Sequence, residues 1–173
     1  MKKEGQIWIE TLIYTLIALV MIGLVLSFAT PKIEEMQDRA IIGQSIDVLK
    51  KIDSTVLSLD EGGAGNKREI KLEIKKGTLF IDSASDLIYF EIDIKSEYSQ
   101  PGKEIDFGGI KIYTLQKGEF NKVTLTSNYS GMYDITYNGE EELRSITKAP
   151  SPYNLFISHN GKNAGTTIID ITI

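Results

Sequence analysis

TLIYTLIALVMIGLVLSFAT, residues Thr11 to Thr30, is a run of twenty residues that contains no charge. As an α-helix the run would be about 30 Å long, which is the thickness of the hydrocarbon core of a bilayer. Lys2 and Lys3 precede it, whereas the charges that directly follow it, through Arg39, amount to about minus one. The positive-inside rule therefore predicts a cytoplasmic N-terminus and places the chain after Thr30 on the outer side.

The composition of the whole chain excludes several functional classes. The 173 residues contain 19 Lys and Arg against 24 Asp and Glu, so a basic nucleic-acid surface is excluded and no nucleic-acid partner is predicted. Cysteine is absent. The chain therefore has no disulfide, no thiolate metal site and no lipidated cysteine, and its stability must come from packing and pairing.

A second helical pattern follows the apolar run. Residues 31–60 combine charged residues with an apolar stripe at helical spacing, and they predict an amphipathic helix nearly continuous with the apolar helix of residues 6–30. Gly23 and Pro31 are the candidates for a bend, because both residues interrupt helices. Gly62 and Gly63 predict the end of the helix and the start of a linker, residues 61–68. The stripe consists of Ile42, Ile46, Leu49, Ile52, Val56 and Leu59.

The hydrophobic period changes from 3.6 to 2 in residues 69–173, which predicts a β-domain. Ile70, Leu72 and Ile74 alternate with charged residues, and so do the apolar residues of 88–94. Gly108-Gly109 is interpreted as a bulge, and Asn138-Gly139 and Asn160-Gly161 as turns. We expect the last strand to be internal, because it ends without a polar tail. Further candidate strands are residues 78–82, 105–115, 119–126, 131–137, 142–147, 153–158 and 166–173.

These patterns predict the α+β class. A long N-terminal helix, first transmembrane and then amphipathic, precedes an antiparallel β-sandwich or partly closed β-barrel. The amphipathic helix is expected to cover the open face of the sheets.

Three interpretations of the N-terminus remain open. A secretory signal would be cleaved after Ala29 and would release a domain that begins at Thr30, although the apolar run is longer than the core of most signals. A plain signal anchor would need no cleavage. The third interpretation starts from the residues before the run, where Gly5 and Gln6 follow the basic leader and Glu10 stands alone as a carboxylate five residues after the glycine.

In this third pattern the chain resembles an archaeal type IV prepilin, which carries a class III signal peptide. The resemblance implies that residues 1–5 are a leader, that a prepilin peptidase cleaves between Gly5 and Gln6, and that Glu10 acts with Gln6 in filament assembly. The implied partners are identical subunits in a helical homopolymer, the peptidase, an assembly ATPase and a membrane platform protein. The subunit would reside in the cell membrane before assembly and in an extracellular surface filament afterwards. Its role would be surface contact or adhesion, with motility and DNA uptake left open.

A different class of function is also compatible with the sequence. The chain could be a monomeric, membrane-anchored module whose extracytoplasmic β-domain binds a ligand. Neither interpretation requires a cofactor, and no enzyme is predicted, because no nucleophile–base set or carboxylate pair can be assembled. His159 is interpreted as a turn residue, since it has no second His or Cys with which to form a metal site.

Three polar features of the β-domain complete the sequence-based interpretation. Asp82 and Asp86 flank a short polar loop without the spacing of an EF-hand, so a Ca²⁺ site there is not favoured. The acidic residues 140–142 are interpreted as a solvated edge. Asn128-Tyr129-Ser130 is an N-glycosylation sequon, and the predicted location outside the cytoplasm makes Asn128 a candidate for modification.

Overall fold

The structure, a computed structural model, describes the backbone of residues 3–173 and the side chains of residues 7–173. The chain divides into two compact units, one through Gln37 and one from Asp38 to Ile173. We call the second the β unit; it contains the second part of the long helix as well as all the strands. Helix α1, Lys3–Gly62, contributes residues to both units and passes through Gly23 and Pro31 without a break in its helical residues. A bend at either position stays a prediction.

The second part of α1 owes its position to the apolar stripe. All six predicted stripe residues, from Ile42 to Leu59, are buried and belong to the core cluster of the β unit. The helix ends at Gly62, two residues beyond the predicted bound, because Gly63 adopts the left-handed conformation with φ of 79° and its N–H donates to the Leu59 carbonyl at 3.0 Å. The Asn66 side chain donates to the carbonyls of Gly62 and Gly63, so the final carbonyl of the helix, that of Gly62, is also paired.

Ten strands belong to the β unit, together with a single turn of 3₁₀ helix at Ser83–Ser85. Their alternating burial confirms the predicted period of two, and the predicted strand at residues 78–82 matches its observed bounds. The strands are β1 Lys67–Leu72, β2 Thr78–Asp82, β3 Leu87–Ile94, β4 Glu104–Phe107, β5 Ile110–Lys117, β6 Phe120–Asn128, β7 Tyr133–Tyr137, β8 Leu143–Thr147, β9 Tyr153–Asn163 and β10 Thr166–Thr172.

The strands form two open sheets. One sheet has four strands in the order β1-β9-β10-β7, and the other has six in the order β4-β5-β6-β3-β2-β8. Both have free edges, so the partly closed barrel is wrong and the α+β class with two layers of sheet remains. β10 is internal, as expected, because it lies between β9 and β7. It pairs with β7 in parallel, so the sheets are antiparallel-rich and not purely antiparallel.

In two glycine-containing segments, the predicted turn is a bulge and the predicted bulge is a turn. Gly108 and Gly109 both have positive φ and form the two-residue turn of the β4–β5 hairpin, so the predicted bulge there is wrong. Asn160 and Gly161 lie inside β9, where the two residues oppose Ile168 alone. They form a bulge, for which Gly161 supplies a φ of 99°, and the predicted turn at that position is wrong.

One core cluster joins the helical stripe to the inward faces of both sheets. Isoleucine dominates it, with Ile88, Ile92 and Ile135 among the fully buried residues. β-branched side chains pack well on a pleated surface, which explains how a chain without disulfides builds its core.

Candidate functional site

The apolar segment of α1 is the most unusual surface of the chain. From Ile7 to Phe28 every large apolar side chain is at least 50% exposed, which in water would be an apolar surface far beyond what soluble monomers tolerate. The helix is long and apolar enough to cross a membrane. Such a surface is suited to the hydrocarbon core of a bilayer.

Threonine hydroxyls in this segment are paired within the helix. Thr11, Thr15 and Thr30 donate to the carbonyls of Ile7, Thr11 and Leu26 at 2.9, 2.8 and 2.7 Å, each four residues earlier. A hydroxyl satisfied in this way can enter an apolar environment at small cost. These residues therefore do not conflict with insertion.

Glu10 is the only carboxylate of the apolar segment. Its Oε1 atom accepts a hydrogen bond from the Tyr14 hydroxyl, one helical turn later, with 3.4 Å between the oxygens. A neutral donor at that distance satisfies only part of the acceptor capacity of a carboxylate. A carboxylate close to the hydrocarbon core of a bilayer is costly unless it is paired. Glu10 is therefore the residue of this segment most suited to pair with a cation.

The predicted cleavage position cannot be placed beside Glu10. The leader, Gly5 and Gln6 lie outside the residues whose side chains the structure describes. Their roles in processing and assembly stay predictions.

A second polar site anchors α1 inside the β unit. Asp38 is 6% exposed, and its carboxylate accepts hydrogen bonds from the backbone N–H groups of Lys95 and Ser96 at 3.1 and 3.2 Å and from the Ser96 hydroxyl at 3.1 Å. The Lys76 ammonium lies 3.3 Å away. Burial alone would raise the pKa of Asp38, but the bonds from Ser96, Lys76 and Lys95 together outweigh it and lower the pKa below its usual value.

Sequence reasoning missed Asp38, although a signal was present. Asp38 lies four residues before Ile42, so this charged residue is on the same face of the helix as the apolar stripe. A charged residue on the buried face of a helix implies a buried set of donors, which is what the structure provides.

The other end of the stripe carries a comparable polar cluster around Asp60. Its carboxylate accepts hydrogen bonds from the hydroxyls of Thr167 at 2.9 Å and Tyr133 at 3.4 Å. His159 Nε2 lies 4.0 Å from it. His159 is 2% exposed within β9, and its Nδ1 accepts the N–H of Gly161, so the interpretation as a turn residue is wrong and the residue is a buried part of the sheet.

The remaining sequence candidates have local structural roles. Asp86 adopts a left-handed conformation and its carboxylate accepts the Ile135 N–H at 2.9 Å, which links the β2–β3 connection to the edge strand β7. The acidic residues 140–142 are exposed, as predicted. Among the side chains from Ile7 onwards, no group of three or more His, Asp or Glu residues is placed to hold a metal ion.

The sequon is accessible at the end of β6. Asn128 is exposed, and its Oδ1 accepts the Ser130 N–H at 2.9 Å, which closes a local turn. Tyr129, between them, is buried and fixes the position of the turn. Modification of Asn128 stays a prediction.

Comparison with known proteins assigns neither a family nor a function to the chain. No protein family model, no curated protein and no solved structure matches the chain. Function must therefore be argued from the exposed helix, Glu10 and the β unit.

Proposed function

We propose that this chain is a pilin, the structural subunit of a surface filament that resembles archaeal type IV pili. The observation that carries the proposal is the apolar segment of α1, which is exposed on all sides and carries one carboxylate at Glu10. A helix that serves only as an anchor does not need this carboxylate. A helix that leaves the bilayer to pack among identical helices can use it to fix their register.

Coulomb attraction supports a role of Glu10 in register. After cleavage at Gly5 the new α-amino group would belong to Gln6 of an adjacent subunit. At about 4 Å, an amine and a carboxylate attract by roughly 4 kcal/mol at an effective dielectric of 20, before the cost of desolvation. An axial shift of one subunit by a helical turn, about 5.4 Å, would lengthen the separation to about 7 to 9 Å and reduce the attraction to roughly 2 kcal/mol.

The β unit would form the outer layer of the filament and make the contacts with surfaces. Its own core and its cysteine-free packing allow it to remain folded outside the cell without an oxidising environment. A prepilin peptidase, an assembly ATPase and a membrane platform protein are the proposed partners, as the resemblance to prepilins implies.

The test is the intact mass of the protein recovered from cell-surface filaments and from membranes. We expect a chain that begins at Gln6 and lacks the first five residues. A chain that begins at Thr30 would establish a secreted domain, and a chain that retains Lys2 and Lys3 would establish a simple anchor. The last result, combined with an absence of filaments, would favour the monomeric binding module.

A further inference from the structure

The β5–β6 hairpin ends next to the point where the chain enters the β unit. Ser96, which donates two hydrogen bonds to Asp38, accepts a hydrogen bond at its carbonyl from the Asn121 side chain at 3.0 Å. Asn121 directly follows Phe120, the first residue of β6. We call this end of the β unit, formed by Asp38, Lys95, Ser96 and residues 117–120, the Asp38 pole.

The tip of this hairpin is amphipathic. Phe120 is 48% exposed and lies opposite Lys117, and Leu115, also exposed, lies opposite Lys122. The strand alternation places all four side chains on the solvent face of the six-stranded sheet. Exposed aromatic and aliphatic side chains beside lysines are the combination that binds at the boundary between headgroups and acyl chains. Glu119 balances the charge of Lys117, so the attraction would be mainly apolar.

The length of chain between the two units limits how far this tip can be from a bilayer. Thr30 ends the uncharged run, and Asp38 follows eight residues later. Even a fully extended connection would span at most about 28 Å, and the same residues as helix rise about 12 Å. The headgroup region on each side of a bilayer is about 5 to 8 Å thick. Because α1 is helical throughout these residues, Asp38 is tethered within about 12 Å of the end of the uncharged run, which brings the Asp38 pole within reach of the headgroups while that run is in the membrane.

The opposite pole provides an internal comparison. Leu143 lies on the same solvent face and is 58% exposed, but it pairs with Asp82 at the far end of β2. The neighbouring strand β3 extends over eight residues, about 24 Å, between the two poles. Leu143 therefore lies at the end of the β unit that is farther from the tether.

We propose that the tip of the β5–β6 hairpin is a membrane-contact site, at which Phe120 and Leu115 enter the headgroup region and Lys117 remains at its surface. The contact holds the β unit against the bilayer before assembly. The inference rests on the membrane-bound stage of the proposed function, and it does not require that filaments form.

The absence of cysteine allows a direct test on the full chain in phosphatidylcholine vesicles. Phe120→Cys and Leu143→Cys would each carry one nitroxide label, and collisions with O₂, which concentrates in lipid, would be compared with those of a water-soluble nickel chelate. We expect a ratio of O₂ to nickel collisions several-fold higher at position 120 than at position 143. Equal ratios would overturn the proposal.

An unlabelled measurement guards against an effect of the nitroxide itself. We expect cleavage by a lysine-specific protease after Lys117 to be several-fold slower in vesicles than in detergent. Phe120→Ser should remove this protection, and Leu143→Ser should preserve it. Protection that Phe120→Ser does not change would contradict the membrane contact.

Dilution of the protein in lipid distinguishes the bilayer from a second copy of the chain. Protection by the bilayer should persist when the lipid-to-protein ratio is raised tenfold, whereas protection that disappears would identify a contact between copies and overturn the proposal. Filaments formed by a chain whose tip is unprotected would refute this inference alone. A protected tip in a chain that never forms filaments would instead refute only the pilin function.

Discussion

The substitution Glu10→Ala tests the pilin proposal at the level of one residue. Its replacement by alanine makes the apolar segment more hydrophobic, so membrane insertion should be at least as efficient as in the parent. Filaments should become rare or disappear, because the amine of an adjacent Gln6 would lose its partner. Electron microscopy of surface filaments and immunoblots of the membrane fraction measure both effects.

The matched variant Glu10→Gln keeps the size and the acceptor oxygen of the side chain but removes the charge. It should form fewer filaments than the parent and more than Glu10→Ala. Parental filament numbers in the alanine variant would leave Glu10 as a carboxylate near the start of α1 that pairs only with Tyr14, and the main residue-level support for the proposal would be lost.

Asp38 makes the stability of the β unit dependent on pH. Its pKa in the folded state lies below the ordinary value, so its contribution to stability is complete above about pH 4 and is lost as the pH falls through the lowered folded pKa. Asp38→Asn should cost about 1 to 3 kcal/mol at pH 7, because the lost charge weakens bonds from a buried site. Thermal melts at pH 7 and pH 3 should show the difference between parent and variant shrinking at the lower pH.

Asp47 provides the control for this pH effect. It is an exposed carboxylate on the same helix, so Asp47→Asn should change the melting temperature little at either pH. A cost of Asp38→Asn that stays constant from pH 7 to pH 3 would show that the carboxylate is not the titrating group.

At the level of elements, the second part of α1 acts as a core layer of the β unit. Leu49 is fully buried in the common cluster, whereas Leu57 on the same helix is 53% exposed. Leu49→Ala should therefore destabilise the unit by about 2 to 5 kcal/mol, and Leu57→Ala by less than about 1 kcal/mol. Denaturant unfolding of the two variants measures this difference, and equal losses would mean that the helix does not pack as described.

The sequence predicted the elements whose signals are local. The apolar stripe of α1 and the alternation in β3 each follow from the chemistry of neighbouring residues, and both appear as predicted. The sheet order and the parallel pairing of β10 with β7 depend on contacts between residues more than thirty positions apart, for which a single sequence gives no signal.

The two wrong predictions, a turn at Asn160-Gly161 and a bulge at Gly108-Gly109, also arose because the outcome depends on strand pairing. Both dipeptides permit positive φ, and this property suits a turn as well as a bulge. The pairing partner decides between them. β10 continues alongside β9 past Gly161, whereas β5 folds back on β4 directly after Gly109.

At the scale of the whole molecule, the chain has two parts of different character. The first, through Gln37, carries the exposed apolar segment, and the second, from Asp38, contains the whole core cluster. The boundary at Asp38 leaves the entire buried stripe of α1 with the β unit. We therefore expect the stability of the β unit not to depend on the apolar segment.

This separation predicts the behaviour of two truncated chains. Residues 38–173 should fold in water as a monomer with a cooperative thermal transition, because they keep every residue of the core cluster. Residues 64–173 lack the six stripe residues, each worth about 1.5 to 3 kcal/mol when fully buried, and this loss exceeds the total stability of most domains of this size. The shorter chain should therefore be unfolded or aggregated. Circular dichroism melts and size-exclusion chromatography with light scattering would compare the two chains. A cooperative transition in residues 64–173 would show that the sheets are stable without the helix, whereas aggregation of residues 38–173 would show that the apolar segment also stabilises the domain.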